Sequence, residues 1–144
     1  MFYNCSSLTT APSILPATTL AVCCYYYMFY GCTSLTTAPE LPATTLADSC
    51  YQSMFEGCTS LTTAPKLPAT TLKDYCYGTM FYGCTKLNYI KMLATDTSAT
   101  WCLYNWVNGV ASSGTFVKNP AMTTLLTGIS GIPSGWTVVN DGEE

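Results

Sequence analysis

The chain has 144 residues, enough for one domain, and 49% of them are hydrophobic while only 9% are charged. No apolar run approaches the roughly 18–20 residues that a membrane-spanning helix needs, which argues against such a helix. The net charge is −3 and the five basic residues are scattered, which argues against nucleic-acid binding, because that requires a clustered basic face.

The first feature in chain order is an internal repeat. Met1, Met28, Met54 and Met80 begin four copies with spacings of 27, 26 and 26 residues, and Trp106 begins a fifth, degenerate copy. A period of this length is typical of proteins built from stacked supersecondary units. We therefore predict a repeat solenoid over residues 1–113 and a C-terminal cap over residues 114–144.

Each copy contains a strand pattern followed by a helix pattern. The stretch SLTTAP is rich in threonine and ends in proline, which predicts a strand of about four residues. The apolar residues that follow recur at the spacing of one helix face from the second copy into the third, at Leu46, Cys50, Tyr51, Met54 and Phe55. Gly57 lies where that helix is expected to end. The predicted fold is an α/β solenoid, an arc of about five strand–helix units of 26 residues with a β-rich C-terminal cap.

The nine cysteines suggest packing, disulfides or reactive chemistry. Most of them recur in two fixed columns, and side chains of in-register parallel copies point the same way, which disfavours disulfides between copies. Cysteine is compact and readily buried, so we predict free thiols in the core, with disulfides or a reactive thiol as alternatives. Cys23 lies outside both columns and is predicted to be exposed. The chain has no histidine and no C-x₂-C pair, so no metal site is predicted.

The two ends of the repeat array differ. After Gly114 the stretch GTFVKN predicts a last strand, and three tryptophans are predicted to fill the space beyond the last cysteine: Trp101, Trp106 and Trp136. The first copy has no equivalent cover, which would expose Phe2, Cys5 and Leu8. We expect self-association through this uncapped N-terminal end, or an upstream segment that covers it.

The repeat resembles the BspA-type leucine-rich repeat of bacterial surface proteins. The pattern begins in the second copy and ends in the third, at Cys32, Leu35, Ala38, Leu41-Pro42, Leu46, Cys50, Met54-Phe55 and Cys58. The resemblance covers roughly residues 1–110 and implies a leucine-rich repeat fold on the cell surface or outside the cell, although this chain shows no signal peptide. It also implies a recognition or adhesion module, and the tail is similar to repeat proteins of gut Bacteroidetes and their phages.

Two groups of side chains are candidate binding residues. The first lies on the predicted strand face, in threonine and tyrosine columns bordered by one acid and one base: Thr36, Thr37, Thr62, Thr63, Tyr89, Glu40 and Lys66. The alternative for these threonines is that they only favour strand structure. The second group consists of variable tyrosines, which are favoured in interfaces but could equally pack between neighbouring copies: Tyr26, Tyr30 and Tyr82. The threonine pairs at 18–19, 44–45 and 70–71 are predicted to cap the helices.

Catalysis is not predicted, because the chain lacks histidine, the usual general base, and has no Gly-rich phosphate loop. No cofactor is predicted. The leading hypothesis is a non-enzymatic protein-binding or adhesion module of a bacterial surface or secreted protein, with a protein or glycan on a host or neighbouring cell as its partner. The alternative is a structural subunit or fragment of a phage or surface assembly.

Overall fold

The computed structural model describes all 144 residues and places successive copies of the repeat on top of one another. Parallel backbone hydrogen bonds join neighbouring copies; Phe29 N–H, for example, donates to Met54 O at 2.9 Å. The phenylalanine of each copy stacks on that of the next, with ring centroids 5.3, 5.5 and 5.8 Å apart along the column from Phe2 to Phe81. The copies therefore share one continuous interior.

The half of each copy that was predicted to be helical is a continuous run of tight turns. These runs cover residues 22–31, 48–57, 74–83 and 100–109, and together they form what we call the turn ladder. Along the first three runs the backbone N–H groups alternate between two kinds of partner. Tyr51 N–H donates to Cys76 O of the next copy, at 3.1 Å. The preceding Cys50 N–H donates instead to Ala47 O within its own turn, at 3.3 Å.

Left-handed backbone recurs at every fourth residue of the turn ladder. In the second run Ser49, Ser53 and Gly57 have φ angles of 55°, 55° and 75°. Residues with side chains adopt this conformation at a cost of about 1–2 kcal/mol each, so the ladder stores strain that packing between copies must offset. Glycine occupies the last of these positions in the second to fifth copies, where the chain turns back into the core.

The predicted solenoid of strand–helix units is wrong, because the structure contains no helix. In an α-helix each N–H bonds to the carbonyl four residues earlier, whereas here half of these groups bond to the neighbouring copy. The buried hydrophobic residues of the second run and just after it recur with a period of four: Cys50 and Tyr51, Met54 and Phe55, then Cys58. Over so short a stretch this period resembles the 3.6 residues of a helix, and that similarity produced the incorrect prediction.

Regular strands occur only towards the C-terminal end, as β1 (Tyr89–Met92), β2 (Thr115–Lys118) and β3 (Thr137–Asn140). They form one parallel sheet in the order β1-β2-β3. The last strand predicted at GTFVKN corresponds to β2, and β3 follows it in the predicted cap region. In the first three copies SLTTAP forms only isolated bridges, such as Thr10 with Thr37, and the strands predicted there are absent.

The threonine pairs that were predicted to cap helices join neighbouring copies instead. Thr19 forms a parallel bridge with Thr45, and Thr71 forms one with Asp96. Thr18 O accepts the N–H groups of Thr45 and its predecessor, both at 3.3 Å. These threonines therefore hold the first copy to the second, and the third copy to the fourth, at the entrance to the turn runs.

The core is a single cluster of 34 buried residues, in which leucines and cysteines alternate with stacked aromatic rings. All nine cysteines are free, and six are buried, as predicted for a packing role: Cys32, Cys50, Cys58, Cys76, Cys84 and Cys102. Three of these thiols also donate to a carbonyl of the copy before; Cys84 Sγ, for example, lies 3.0 Å from Phe55 O. The three thiols of the first copy are exposed, and we call them the first-copy thiols: Cys5, Cys23 and Cys24.

Two of the three tryptophans close the C-terminal end of the core. Trp106 is fully buried and its Nε1–H donates to Gly131 O at 2.8 Å. The Nε1–H of Trp136 donates to Ala111 O at 2.7 Å. Trp101 is 56% exposed and packs edge-on against Tyr104, so the prediction that it fills the core is wrong.

Candidate functional site: an open seam between the second and third copies

The strand side of the molecule has one boundary at which neighbouring copies are not hydrogen-bonded. No backbone bond joins residues 36–46 of the second copy to residues 62–72 of the third, and no bridge joins them either. The boundaries before and after it are closed; Leu15 N–H donates to Glu40 O, and Leu67 N–H donates to Lys91 O, both at 3.0 Å. We call the unbonded boundary the open seam.

The turn ladder remains closed at the same boundary. Ser49 N–H donates to Asp74 O at 2.9 Å and Gly57 N–H donates to Tyr82 O at 2.8 Å, distances typical of good backbone hydrogen bonds. The second and third copies are therefore joined along the turn ladder and separated only on the strand side.

Prolines reduce the number of backbone donors on both walls of the seam. The sequences APELP and APKLP place Pro39 over Pro65 and Pro42 over Pro68, and proline has no N–H to donate. The boundary before the seam contains prolines as well, but the extra residue in APSILP shifts its pairing to Ile14 with Glu40. The fourth copy, which closes the boundary after the seam, has no proline between residues 80 and 105.

The seam opens to solvent as two adjoining depressions. The larger has a volume of about 460 Å³ and is lined by the prolines and charged residues of both copies: Ala38, Pro39, Glu40, Leu41, Pro42, Pro65, Lys66 and Pro68. The smaller has a volume of about 340 Å³ and is lined by the threonine columns: Thr36, Thr37, Ala38, Thr62, Thr63, Ala64 and Pro65. Ala38 and Pro65 belong to both, so the two form one groove, which we call the seam groove. Each volume lies within the range of small-molecule and cofactor sites.

Six of the ten predicted binding residues line this groove: Thr36, Thr37, Glu40, Thr62, Thr63 and Lys66. All six are exposed. The repeat pattern predicted that they share one face, but it did not predict the gap between them or the prolines that form its walls. The available signal was the P-x-L-P stretch, which occurs in register in two consecutive copies and lacks the insertion of the first.

The groove carries one negative and one positive side chain on opposite walls. Glu40 stands on the second copy and Lys66 at the equivalent position of the third, and no salt bridge joins them. The salt bridges of the chain are elsewhere and both involve Lys91, whose Nζ lies 2.6 Å from Asp141 Oδ1 and 3.0 Å from Glu144 Oε1. Both charges of the groove therefore remain available to a ligand.

Tyr89 does not belong to the groove. It begins β1 in the fourth copy, where its backbone bridges to Thr63. Its hydroxyl donates to Glu144 Oε1 at 3.2 Å, beside the ammonium group of Lys91. The structure thus places this side chain in the contact that holds the C-terminal residues against the sheet.

The predicted tyrosines lie on the turn ladder, away from the seam. Tyr30 stacks on Tyr3 with centroids 5.0 Å apart, and Tyr26 and Tyr30 both contact Tyr27, at 4.1 and 5.2 Å. Tyr82 is 40% exposed and makes none of these aromatic contacts. The structure therefore divides the predicted second group into a packed cluster in the first two copies and a separate exposed residue.

The buried cysteine thiols of the core are poorly reactive. Burial raises the pKa of the Cys50 and Cys58 thiols to about 12, so both remain protonated and weakly nucleophilic at neutral pH. No group of three or more potential metal ligands occurs in the structure. No helix is present that could cross a bilayer.

Comparison of the chain with protein-family models, with curated proteins and with solved structures finds no match.

Proposed function

We propose that this chain is a non-enzymatic protein-binding module that recognises its partner through the strand side, with the seam groove as the centre of the contact. The observation that carries the proposal is the absence of backbone bonds at this one boundary, which leaves an accessible groove beside exposed threonines. Binding sites are usually concave and combine apolar walls with a few polar groups, and the groove has both.

The setting we propose is the surface of a bacterium or its secreted proteins. The support is the resemblance of the cysteine, leucine and Leu-Pro positions to the BspA-type repeat, together with the very low content of charged residues. A protein or glycan on a host or neighbouring cell is the corresponding partner class.

The test is a binding screen with a blocked groove. The purified chain is applied to immobilised host matrix proteins and to a glycan array, beside the variant Thr63→Arg, which places a long charged side chain at the groove. Thr10→Arg, in the same column two copies away and also exposed, is the matched control. We expect at least one partner that the chain and the control bind and that Thr63→Arg binds about tenfold more weakly. Binding to no target, or equal binding by all three proteins, would contradict the proposal.

A second candidate function is a structural subunit that stacks on another protein at the first copy. The specific observation is an edge of unpaired carbonyls: Cys24 O and Tyr26 O accept no hydrogen bond, whereas the equivalent Cys50 O and Gln52 O accept from Tyr25 and Tyr27. Such an edge can pair with a further chain. Sedimentation across a dilution series tests for self-association, and a monomer at every concentration would count against pairing between copies of this chain.

A further inference from the structure

We propose that the seam groove binds an extended peptide segment of the partner protein, lying between the second and third copies and hydrogen-bonded to both. This inference rests on the proposed function and specifies the ligand of the same site. Its first support is the direction of the backbone groups along the two walls.

On the second-copy wall, the backbone groups that face the groove can be deduced from those that face the first copy. Glu40 N–H donates to Ser13 O and Glu40 O accepts from Leu15, so both backbone groups of Glu40 point to the first copy. Successive residues of an extended chain direct these groups to opposite neighbours. Leu41 therefore directs its N–H and C=O towards the groove, and neither has a hydrogen-bond partner in the structure.

The third-copy wall is arranged in the same way. Leu67 N–H donates to Lys91 O and Leu67 O accepts from Leu93, so its backbone groups point to the fourth copy. Lys66 therefore directs its N–H and C=O towards the groove, again without partners. The carbonyls of Pro39 and Pro68 are also unpaired.

An extended polypeptide matches this pattern of groups. It offers a donor and an acceptor at every residue, with the spacing of a strand, and can satisfy both walls at once. Unpaired backbone groups in a partly enclosed site are unfavourable, so a peptide that satisfies them gains affinity without any particular side chain. The four proline rings add apolar walls that shield these hydrogen bonds from water.

The charges of the groove define the side chains that such a peptide should carry. Glu40 favours a basic residue and Lys66 favours an acidic one. Side chains two residues apart on an extended peptide point to the same face. The ligand class is therefore an extended segment with one basic and one acidic residue two positions apart, in the order that places each beside its opposite charge.

The free protein allows a first check by amide hydrogen exchange. The unpaired Leu41 and Lys66 amides should exchange much faster than those of Leu15 and Leu67, which occupy the position of Leu41 in the first and third copies and are hydrogen-bonded. Equal protection of all four amides would show that the seam is closed in solution and would overturn the inference.

The binding test uses two defined peptides, Ac-Thr-Val-Lys-Thr-Glu-Val-Thr-NH2 and its counterpart with Lys and Glu exchanged. Amide chemical shifts of the labelled protein are followed during titration. We expect one order to bind about fivefold more tightly than the other, with the Leu41 and Lys66 amides among the most shifted. N-methylation of alternate peptide residues should abolish binding, because it removes the donors.

A charge-swapped protein makes the test specific to the groove. The double variant Glu40→Lys, Lys66→Glu changes only exposed side chains and should invert the preferred order, whereas Lys86→Glu, away from the groove, should leave it unchanged. No binding, shifts confined to other surfaces, or no inversion would each overturn the peptide inference. If the chain still binds a matrix protein or glycan in a Thr63-dependent manner, the proposed function stands and only the peptide inference fails.

Discussion

The hydroxyl of Tyr77 is a buried polar group that the fold leaves without a partner. Its ring is stacked between Tyr51 and Trp106, with centroids 6.1 Å from each, and its oxygen is enclosed and makes no hydrogen bond. Burial also raises the pKa of this phenol well above its ordinary value, so the group is neutral at all ordinary pH values. The substitution Tyr77→Phe removes only the oxygen and keeps the stacked ring.

The expected effect is stabilisation. Burying a hydroxyl without a hydrogen bond costs about 1–3 kcal/mol, and removing the oxygen recovers this penalty minus the few contacts that the atom makes. We expect Tyr77→Phe to raise the free energy of unfolding by about 1–2 kcal/mol. For a chain of this length the unfolding entropy is about 0.3 kcal/mol/K, so the melting temperature should rise by about 3–6 °C.

The assay is equilibrium unfolding in denaturant together with a thermal melt. Tyr51→Phe is the matched control, because Tyr51 occupies the same column one copy earlier and its hydroxyl is not an enclosed, unpartnered group. The control should change stability by less than about 0.5 kcal/mol. A Tyr77→Phe protein that is less stable than the parent would refute the reasoning and show that the hydroxyl is satisfied in solution, for example by buried water.

Three further predictions concern the thiols and the turn ladder. A thiol reagent at neutral pH should modify the three first-copy thiols rapidly and the other six cysteines only on unfolding; rapid modification of more than three would contradict the burial of the columns. Stability should fall between pH 9 and pH 12, because unfolded thiols lose their protons near 9.0 while Cys50 and Cys58 retain theirs to about 12. Below pH 9 these thiols are protonated in both the folded and the unfolded chain, so their contribution to stability is fully present. Replacing Cys50 and Cys58 by alanine should flatten the decline in stability, as measured by denaturant unfolding. Ser49→Gly should stabilise the chain by about 0.5–1 kcal/mol by relieving its positive φ, whereas Gly57→Ala should destabilise it by a similar amount.

Part of the candidate site could be predicted from the sequence. The threonine columns and their bordering charges follow from the repeat, because residues at equivalent positions of stacked copies must share one face. The gap between them depends on the register in which each pair of copies meets. Glu40 pairs with the first copy through the extra residue of APSILP, and Leu67 pairs with the fourth through a shift to Met92. No such shift of register occurs at the seam, and only the tertiary structure shows that hydrogen bonds are absent there.

By itself the sequence determined that equivalent residues stack, which columns are buried, and where the array gives way to a different C-terminal segment. These conclusions depend only on the same residues recurring at a fixed spacing. That recurrence does not depend on the local backbone conformation. The local backbone conformation was decided only by the tertiary structure. A run such as residues 48–57 can satisfy its N–H groups internally as a helix or share them with the next copy, and stacking favours sharing because each copy then bonds to its neighbours. The open seam was decided in the same way, since it depends on the register in which two neighbouring copies meet, and that register follows only from the structure.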